Sequence, residues 1–231
     1  MTNSETNKGR VLVTGCSSGI GLAITLALLA EGWAVTGISR SAPEITDAGF
    51  SFVSVDLLDT EETDTALGQL RGFDAVIHAA GLLRVGRHDE MHLEDGQVMW
   101  RLHVDTAARL IKHLAPRMPD GGRIVLLGSR VASGVAGRAL YAASKAGLVG
   151  FARSVAVELA PRRITVNVIA PGATDTPMLS DPARAGTKPV LPPMGQLVQP
   201  NEIAALAVFL LSDGAASLTG QQIVVCGGAS L

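Results

Sequence analysis

Aromatic side chains are nearly missing: they make up 3% of the 231 residues, and the one tyrosine is Tyr141. Hydrophobic residues reach 47% all the same, so the apolar content comes from Ala, Val, Leu and Ile, the composition of buried parallel strands with helices packed on them. There is no excess of charge. The formal net charge is -2, and no run of Lys or Arg is long enough to form a nucleic-acid-binding stripe. No apolar run approaches the ~18 residues of a membrane span, and the polar N-terminus lacks the apolar region of a secretory signal. The chain is therefore expected to be soluble and cytoplasmic. Only two cysteines occur, Cys16 and Cys226; they are far apart and read as free thiols rather than a disulfide framework. The histidines, at 78, 88, 92, 103 and 113, fall on different expected elements, which argues against a zinc centre. Repeats, low-complexity segments and interdomain linkers are also missing. A flexible segment over 1–9 and one domain over 10–231 is the expected organisation.

What the chain does have is Tyr141-Ala142-Ala143-Ser144-Lys145. A Tyr and a Lys at this spacing on a helix stack on one face. The continuation is Ala-rich, has no proline before Pro161 and keeps apolar residues at 148, 151, 152, 155 and 159, the pattern of a long, mostly buried helix. A cation beside a phenol favours the phenolate, so Tyr141 is placed to exchange protons well below the ~10 of a free tyrosine. On spacing alone, such a pair is more often incidental than functional. The rest of the chain has to decide.

Arg10-Val11-Leu12-Val13-Thr14 is an expected strand that runs into Gly15-Cys16-Ser17-Ser18-Gly19-Ile20-Gly21 and then a helical pattern over 22–31. Strand, glycine turn and helix form the setting a dinucleotide pyrophosphate requires: glycines let the backbone approach, and the helix N-terminus offers free N–H groups. A second strand over 33–38 ends at Ser39-Arg40. An acidic residue there would accept from ribose hydroxyls, whereas this hydroxyl and guanidinium suit a 2′-phosphate. A third strand, 50–55, closes with Asp56-Leu57, where an adenine edge can be held; an ordinary turn Asp is the competing reading. After a helix over 61–70, a fourth strand over 74–78 leads to Ala79-Ala80-Gly81, small residues that let a flat ring lie against the backbone.

Residues 84–96 are expected to be irregular surface, and 97–118 helical with a break near Pro116. A fifth strand, 123–127, ends at Gly128-Ser129, which puts the Ser129 hydroxyl where open α/β sheets hold their ligands. A sixth strand over 164–169 runs into Ala170-Pro171-Gly172-Ala173-Thr174-Asp175-Thr176. The Pro- and Gly-rich stretch 178–199 carries Met178, Leu179, Val190, Leu191 and Met194, and is expected to be a lid over an apolar substrate. A helix over 200–211 and a seventh strand over 222–226 complete the chain. The expected fold is α/β: a single-domain, Rossmann-type, doubly wound parallel sheet of about seven strands with helices on both faces.

In this order, Thr14-Gly15-x-x-x-Gly19-Ile20-Gly21, Ala79-Ala80-Gly81, Ser129, Tyr141-x-x-x-Lys145 and Pro171-Gly172-x-x-x-Thr176 resemble the short-chain dehydrogenase/reductase family over nearly the whole chain. Pro200-Asn201-Glu202-Ile203-Ala204 and Leu218-Thr219-Gly220-Gln221 look like its C-terminal segments. The resemblance implies that Tyr141 is the general acid/base, that Lys145 holds the nicotinamide ribose and lowers the tyrosine pKa, and that Ser129 orients the substrate carbonyl or alcohol. Gly15, Ser17, Ser18, Gly19, Ile20 and Gly21 would carry the pyrophosphate, Asp56 and Leu57 the adenine, Ala80 the adenine ribose region and Thr176 the carboxamide end. Ala79, Gly81, Pro171, Gly172 and Thr174 would also touch the cofactor. The implied chemistry is hydride transfer between NADP(H), with NAD(H) as the alternative, and a largely apolar small or medium alcohol or ketone. A homo-oligomer, a tetramer or a dimer, is implied as well, and the apolar or small residues on several faces of the helix 144–159 favour it.

Three departures from the family stand out. Asp105, in Leu102-His103-Val104-Asp105-Thr106, is expected where the family usually has the Asn that completes a proton relay. His78 stands where an Asn is common and is expected to change only a structural hydrogen bond, and Cys226 replaces an Asp before the final Gly-Gly. A second reading, a dinucleotide-binding regulatory or interaction protein with little turnover, stays open because of Asp105. The complete set of Ser129, Tyr141 and Lys145 favours an enzyme acting on a small molecule, with neither nucleic acid nor membrane as partner.

Overall fold

The computed structural model describes residues 8–180 and 190–231; most of the expected N-terminal segment and the middle of the expected lid, 181–189, lie outside them. Seven strands, β1 (Arg10–Thr14), β2 (Ala34–Ser39), β3 (Phe50–Ser54), β4 (Ala75–His78), β5 (Arg123–Leu127), β6 (Thr165–Pro171) and β7 (Gln222–Val225), form one sheet in the order β3-β2-β1-β4-β5-β6-β7. Every neighbouring pair is parallel. From β1 the chain first builds outward through β2 and β3, then crosses back to β4 and builds the other way. That reversal opens a crevice at the carboxyl ends of β1 and β4, where folds of this kind take their ligands.

Both faces of the sheet are covered, which explains why its central strands are apolar throughout. Successive side chains alternate: Val11 and Val13 pack under α1 (Gly19–Ala30) and α6 (Pro200–Leu211), together with Val125, Leu127 and Ile169. Leu12, Ile124 and Leu126 face the opposite layer, α2 (Thr60–Gln69), α4 (Thr106–Leu114) and the long α5 (Ala139–Leu159). Fully burying one such Leu, Ile or Val contributes about 1.5–3 kcal/mol.

The structure departs from the sequence pattern mainly between β4 and β5. Helix α3 spans Leu93–Trp100, so the second half of the expected irregular stretch is partly helical; Glu94 and Asp95 in its first turn complement the helix dipole. A π-helical turn, Arg101–Asp105, then separates α3 from α4. No helix among the described residues is long and apolar enough to cross a membrane, and Cys16 and Cys226 are free thiols.

Candidate active site

The glycine loop is built by close approach. Gly15 has φ 71, and a Cβ there would lie 2.7 Å from the Ala80 amide nitrogen, while one on Gly21 would meet the Gly15 carbonyl at 2.1 Å. Only glycines let the end of β1, the start of α1 and the end of β4 come this close. Ser18 precedes α1 in an extended conformation and makes no side-chain cap, so the first-turn N–H groups are left for a ligand. Cys16 turns inward: its thiol is fully buried, 3.5 Å from Ser39 Oγ, and burial pushes its pKa up. It is a core residue of the loop.

Two cavities meet in the crevice. One, of about 300 Å³, is lined by Gly15, Ser17 to Gly21, Ser39, Arg40, Asp56, Leu57 and Ala79 to Gly81. The other, of about 290 Å³, is lined by Ser129, Tyr141, Lys145, Pro171, Gly172, Thr174 and Thr176. They share Ile20, Ala79, Gly81, Leu82, Thr176 and Met178 as walls. Together they bring every cofactor residue expected from the sequence to one crevice. A dinucleotide fits the first: it offers bare helix-terminal amides beside the glycines, small residues beyond β4, and Ser39 and Arg40 at the far end. The Ser39 hydroxyl is buried and donates to the Ser41 carbonyl at 2.7 Å, whereas Arg40 is exposed at the rim. One Asp56 carboxylate oxygen accepts from the Leu58 amide at 3.0 Å, so this residue both makes the turn and lines the cavity.

In the second cavity, Ser129 lies at the end of β5, and its Oγ accepts from the Val131 amide at 3.1 Å. Its own proton therefore stays available for a ligand oxygen. Lys145 is 4% exposed and donates from Nζ to the Leu127 carbonyl at 2.7 Å. Nζ lies 5.9 Å from the centre of the Tyr141 ring, so the pair expected from spacing is a pair in space. Burial lowers the Lys145 pKa to about 7. Of the expected lid, Met178, Leu179 and Val190 line this cavity, while Leu191 and Met194 do not and are exposed.

Asp105 does not belong to the site: it is exposed at the end of the π turn and lines neither cavity. The buried residue there is His103. Its Nε2 accepts from the Leu82 amide at 3.2 Å, so the ring proton sits on Nδ1, which donates to Ser144 Oγ at 2.9 Å. Ser144 in turn donates to the Tyr141 carbonyl at 2.8 Å, and the imidazole meets the Tyr141 ring edge-on, with centroids 5.6 Å apart. The family resemblance alone points to Asp105; the π turn Arg101–Asp105 buries Leu102, His103 and Val104 and leaves Asp105 at the surface.

His78 is the complementary case. Nε2 donates to the Leu102 carbonyl at 3.0 Å, and Nδ1 accepts from Thr14 Oγ1 at 2.8 Å. That hydroxyl also accepts from the Ala80 amide at 3.3 Å. The two histidines thus fasten the π turn to the ends of β1 and β4. Desolvation by burial holds both neutral, His78 with a pKa lowered to about 3 and His103 well below the usual value, with Lys145 adding to the shift in each.

Known proteins share the sequence and the fold of this chain. The family profile described as Enoyl-(Acyl carrier protein) reductase matches residues 15–230. The 3-oxoacyl-[acyl-carrier-protein] reductase FabG of Salmonella typhimurium is 38% identical over 94% of this chain and 95% of its own. The 2,3-dihydro-2,3-dihydroxybenzoate dehydrogenase of Escherichia coli is 36% identical over 96% of each. Among solved structures, a blue fluorescent protein from a metagenomic library, in complex with NADPH, superposes with a TM-score of 0.87 at 31% identity, covering 99% of this chain and 100% of that one. A short-chain dehydrogenase/reductase from Serratia marcescens superposes with a TM-score of 0.86 at 28% identity, covering 97% and 99%.

Proposed function

The chain belongs to the short-chain dehydrogenase/reductase family of oxidoreductases, and from that premise we propose that it transfers hydride between NADP(H) and an alcohol or ketone, with Tyr141 as general acid/base. The observation that carries the reading is that Ser129, Tyr141 and Lys145 line one cavity that shares six wall residues with the glycine-loop cavity. A dinucleotide lying along the loop would bring its ring to the shared wall of Ile20, Gly81 and Thr176. The bound nicotinamide supplies or accepts the hydride at the substrate carbon.

The residues of the chain handle the oxygen. Ser129, whose acceptor side is already taken by the Val131 amide, donates to the carbonyl oxygen and polarises it. Tyr141 gives that oxygen a proton as the hydride arrives, and in the reverse direction takes the alcohol proton as the hydride leaves. The phenolate formed on reduction lies beside the Lys145 ammonium, which stabilises it. A lysine titrating near neutrality is suited to pass a proton onward. His103 is not such a carrier, because both its ring nitrogens are bonded and it is buried neutral; it holds Tyr141 in place from behind. Asp105, the residue that kept a regulatory protein without turnover open, lies outside both cavities, which supports the enzyme reading.

The NADP(H) assignment draws support from Arg40 at the cavity rim and from the NADPH in the blue fluorescent protein complex. A homo-oligomer, a tetramer or a dimer, is part of the same reading, because α5 exposes Val157 at 76% and α6 exposes Phe209 at 45%. The testing experiment is a screen of alcohols and ketones that follows reduced-nicotinamide absorbance. Turnover of at least one carbonyl compound with NADPH supports the reading, and none across a broad panel counts against it.

A further inference from the structure

We infer that the substrate carries an oxyanion, a carboxylate or a phosphate, bound by Arg130 and Arg138 on the wall of the catalytic cavity; the inference rests on reading that cavity as the place of hydride transfer. Among its described lining residues the charged ones are Arg130, Arg138 and Lys145, and none is acidic. Lys145 sits at the base, bonded to the Leu127 carbonyl. The two arginines are half-buried and are fixed by the elements that carry the chemistry. Arg130 directly follows Ser129, and Arg138 precedes the first turn of α5, which carries Tyr141.

Arg130 donates one Nη1 bond to the Ala229 carbonyl at 3.2 Å. That bond ties the guanidinium to the C-terminal segment and uses only part of a planar, five-donor fork. Among the described residues Arg130 forms no ion pair. Much of the remaining wall is apolar: Leu82, Leu83, Val131, Val135, Leu179 and Val190. A neutral ligand filling this space would strip water from the Arg130 guanidinium without replacing it, which is unfavourable. An oxyanion on the ligand replaces that water with charge-assisted, bidentate bonds, and low-dielectric walls strengthen them. Neither the hydride nor the proton step needs this charge. Its work is selection of the substrate and orientation of its carbonyl between Ser129 and Tyr141.

The test uses matched pairs of ketones with NADPH: 3-oxohexanoate against its methyl ester, and dihydroxyacetone phosphate against dihydroxyacetone. We expect kcat/KM to favour the anionic member of one pair by tenfold or more, and the pair that shows it identifies a carboxylate or a phosphate. Arg130→Met and Arg138→Met should each shrink that ratio toward one, and Arg130→Lys, which keeps the charge, should restore part of it. Thermal melts of the variants separate misfolding from lost recognition. Equal kcat/KM within both pairs overturns the inference while leaving the oxidoreductase reading intact. If none of the four is turned over, calorimetric binding of hexanoate and of propyl phosphate, each against hexanamide, to protein with saturating NADP+ still decides: tighter binding of an anion supports the inference, and equal affinity overturns it.

Discussion

Lowering the pH from 7.5 to 5.0 should destabilise this protein through His78 by an amount that can be worked out in advance. His78 is buried, bonded on both ring nitrogens, and has its pKa pushed down from 6.5 to about 3 by desolvation. Because the folded-state value lies below the unfolded one, the unfolded chain binds the proton first. The stabilisation is complete above pH 6.5 and is lost progressively as the pH falls toward 3. Between pH 7.5 and 5.0 the linkage amounts to about 2 kcal/mol for this one residue. His103 shifts in the same direction and adds to the loss. Lys145, lowered from 10.5 to about 7, acts mainly above this window, since its differential protonation lies between about 7 and 10.5. The assay is urea unfolding at both pH values for the wild type and His78→Asn, at one protein concentration. Asn offers a donor for Leu102 and an acceptor for Thr14 without a titrating nitrogen. The variant should lose about 2 kcal/mol less than the wild type over the interval, whatever its stability at pH 7.5. An equal loss in both proteins would refute the claim that His78 is held neutral by burial.

Cofactor choice is checked by titration: the wild type should bind NADPH more tightly than NADH by roughly tenfold or more, the worth of a charge-assisted bond from Arg40. Ser39→Asp should move the preference toward NADH, and a wild type that prefers NADH would remove the assignment. In steady-state kinetics, His103→Leu should lower kcat by up to about a hundredfold, because displacing Tyr141 by a fraction of an ångström to one ångström is enough for that. His103→Asn should lose less, and Asp105→Ala should stay near wild type; a large loss in the Asp105 variant would return that residue to the site. Sedimentation at micromolar concentration should show a dimer or larger, and a monomer would sink the oligomer.

The five central strands were legible because they are buried on both faces and read as short apolar runs, each ended by a glycine or small residue that the cofactor crevice also requires. Ser39-Arg40, Ala79-Ala80-Gly81 and Gly128-Ser129 could be placed for that reason: each is a strand end. The Tyr141 and Lys145 pair was legible from helical spacing, since α5 is regular over Ala139–Leu159. Asp105 was placed from the family resemblance instead, and nothing in the residue types announces the π turn that buries His103 and leaves Asp105 exposed. The only available hint was His103 itself, a polar residue between Leu102 and Val104 in a run otherwise destined for the core. Arg130 and Arg138 were also invisible from the sequence, because a lone arginine in a loop looks like surface until the cavity wall is seen.

The central claim, that Tyr141 moves the proton in a hydride-transfer reaction, is tested most directly by Tyr141→Phe, assayed for turnover and for NADPH binding in the same preparation. The substitution removes one hydroxyl from a half-buried ring and leaves the Lys145 and His103 contacts to the ring in place. The account predicts that kcat falls by ~10²- to 10⁴-fold while the affinity for NADPH stays within about threefold of wild type. A Phe variant that turns over at close to the wild-type rate would contradict it.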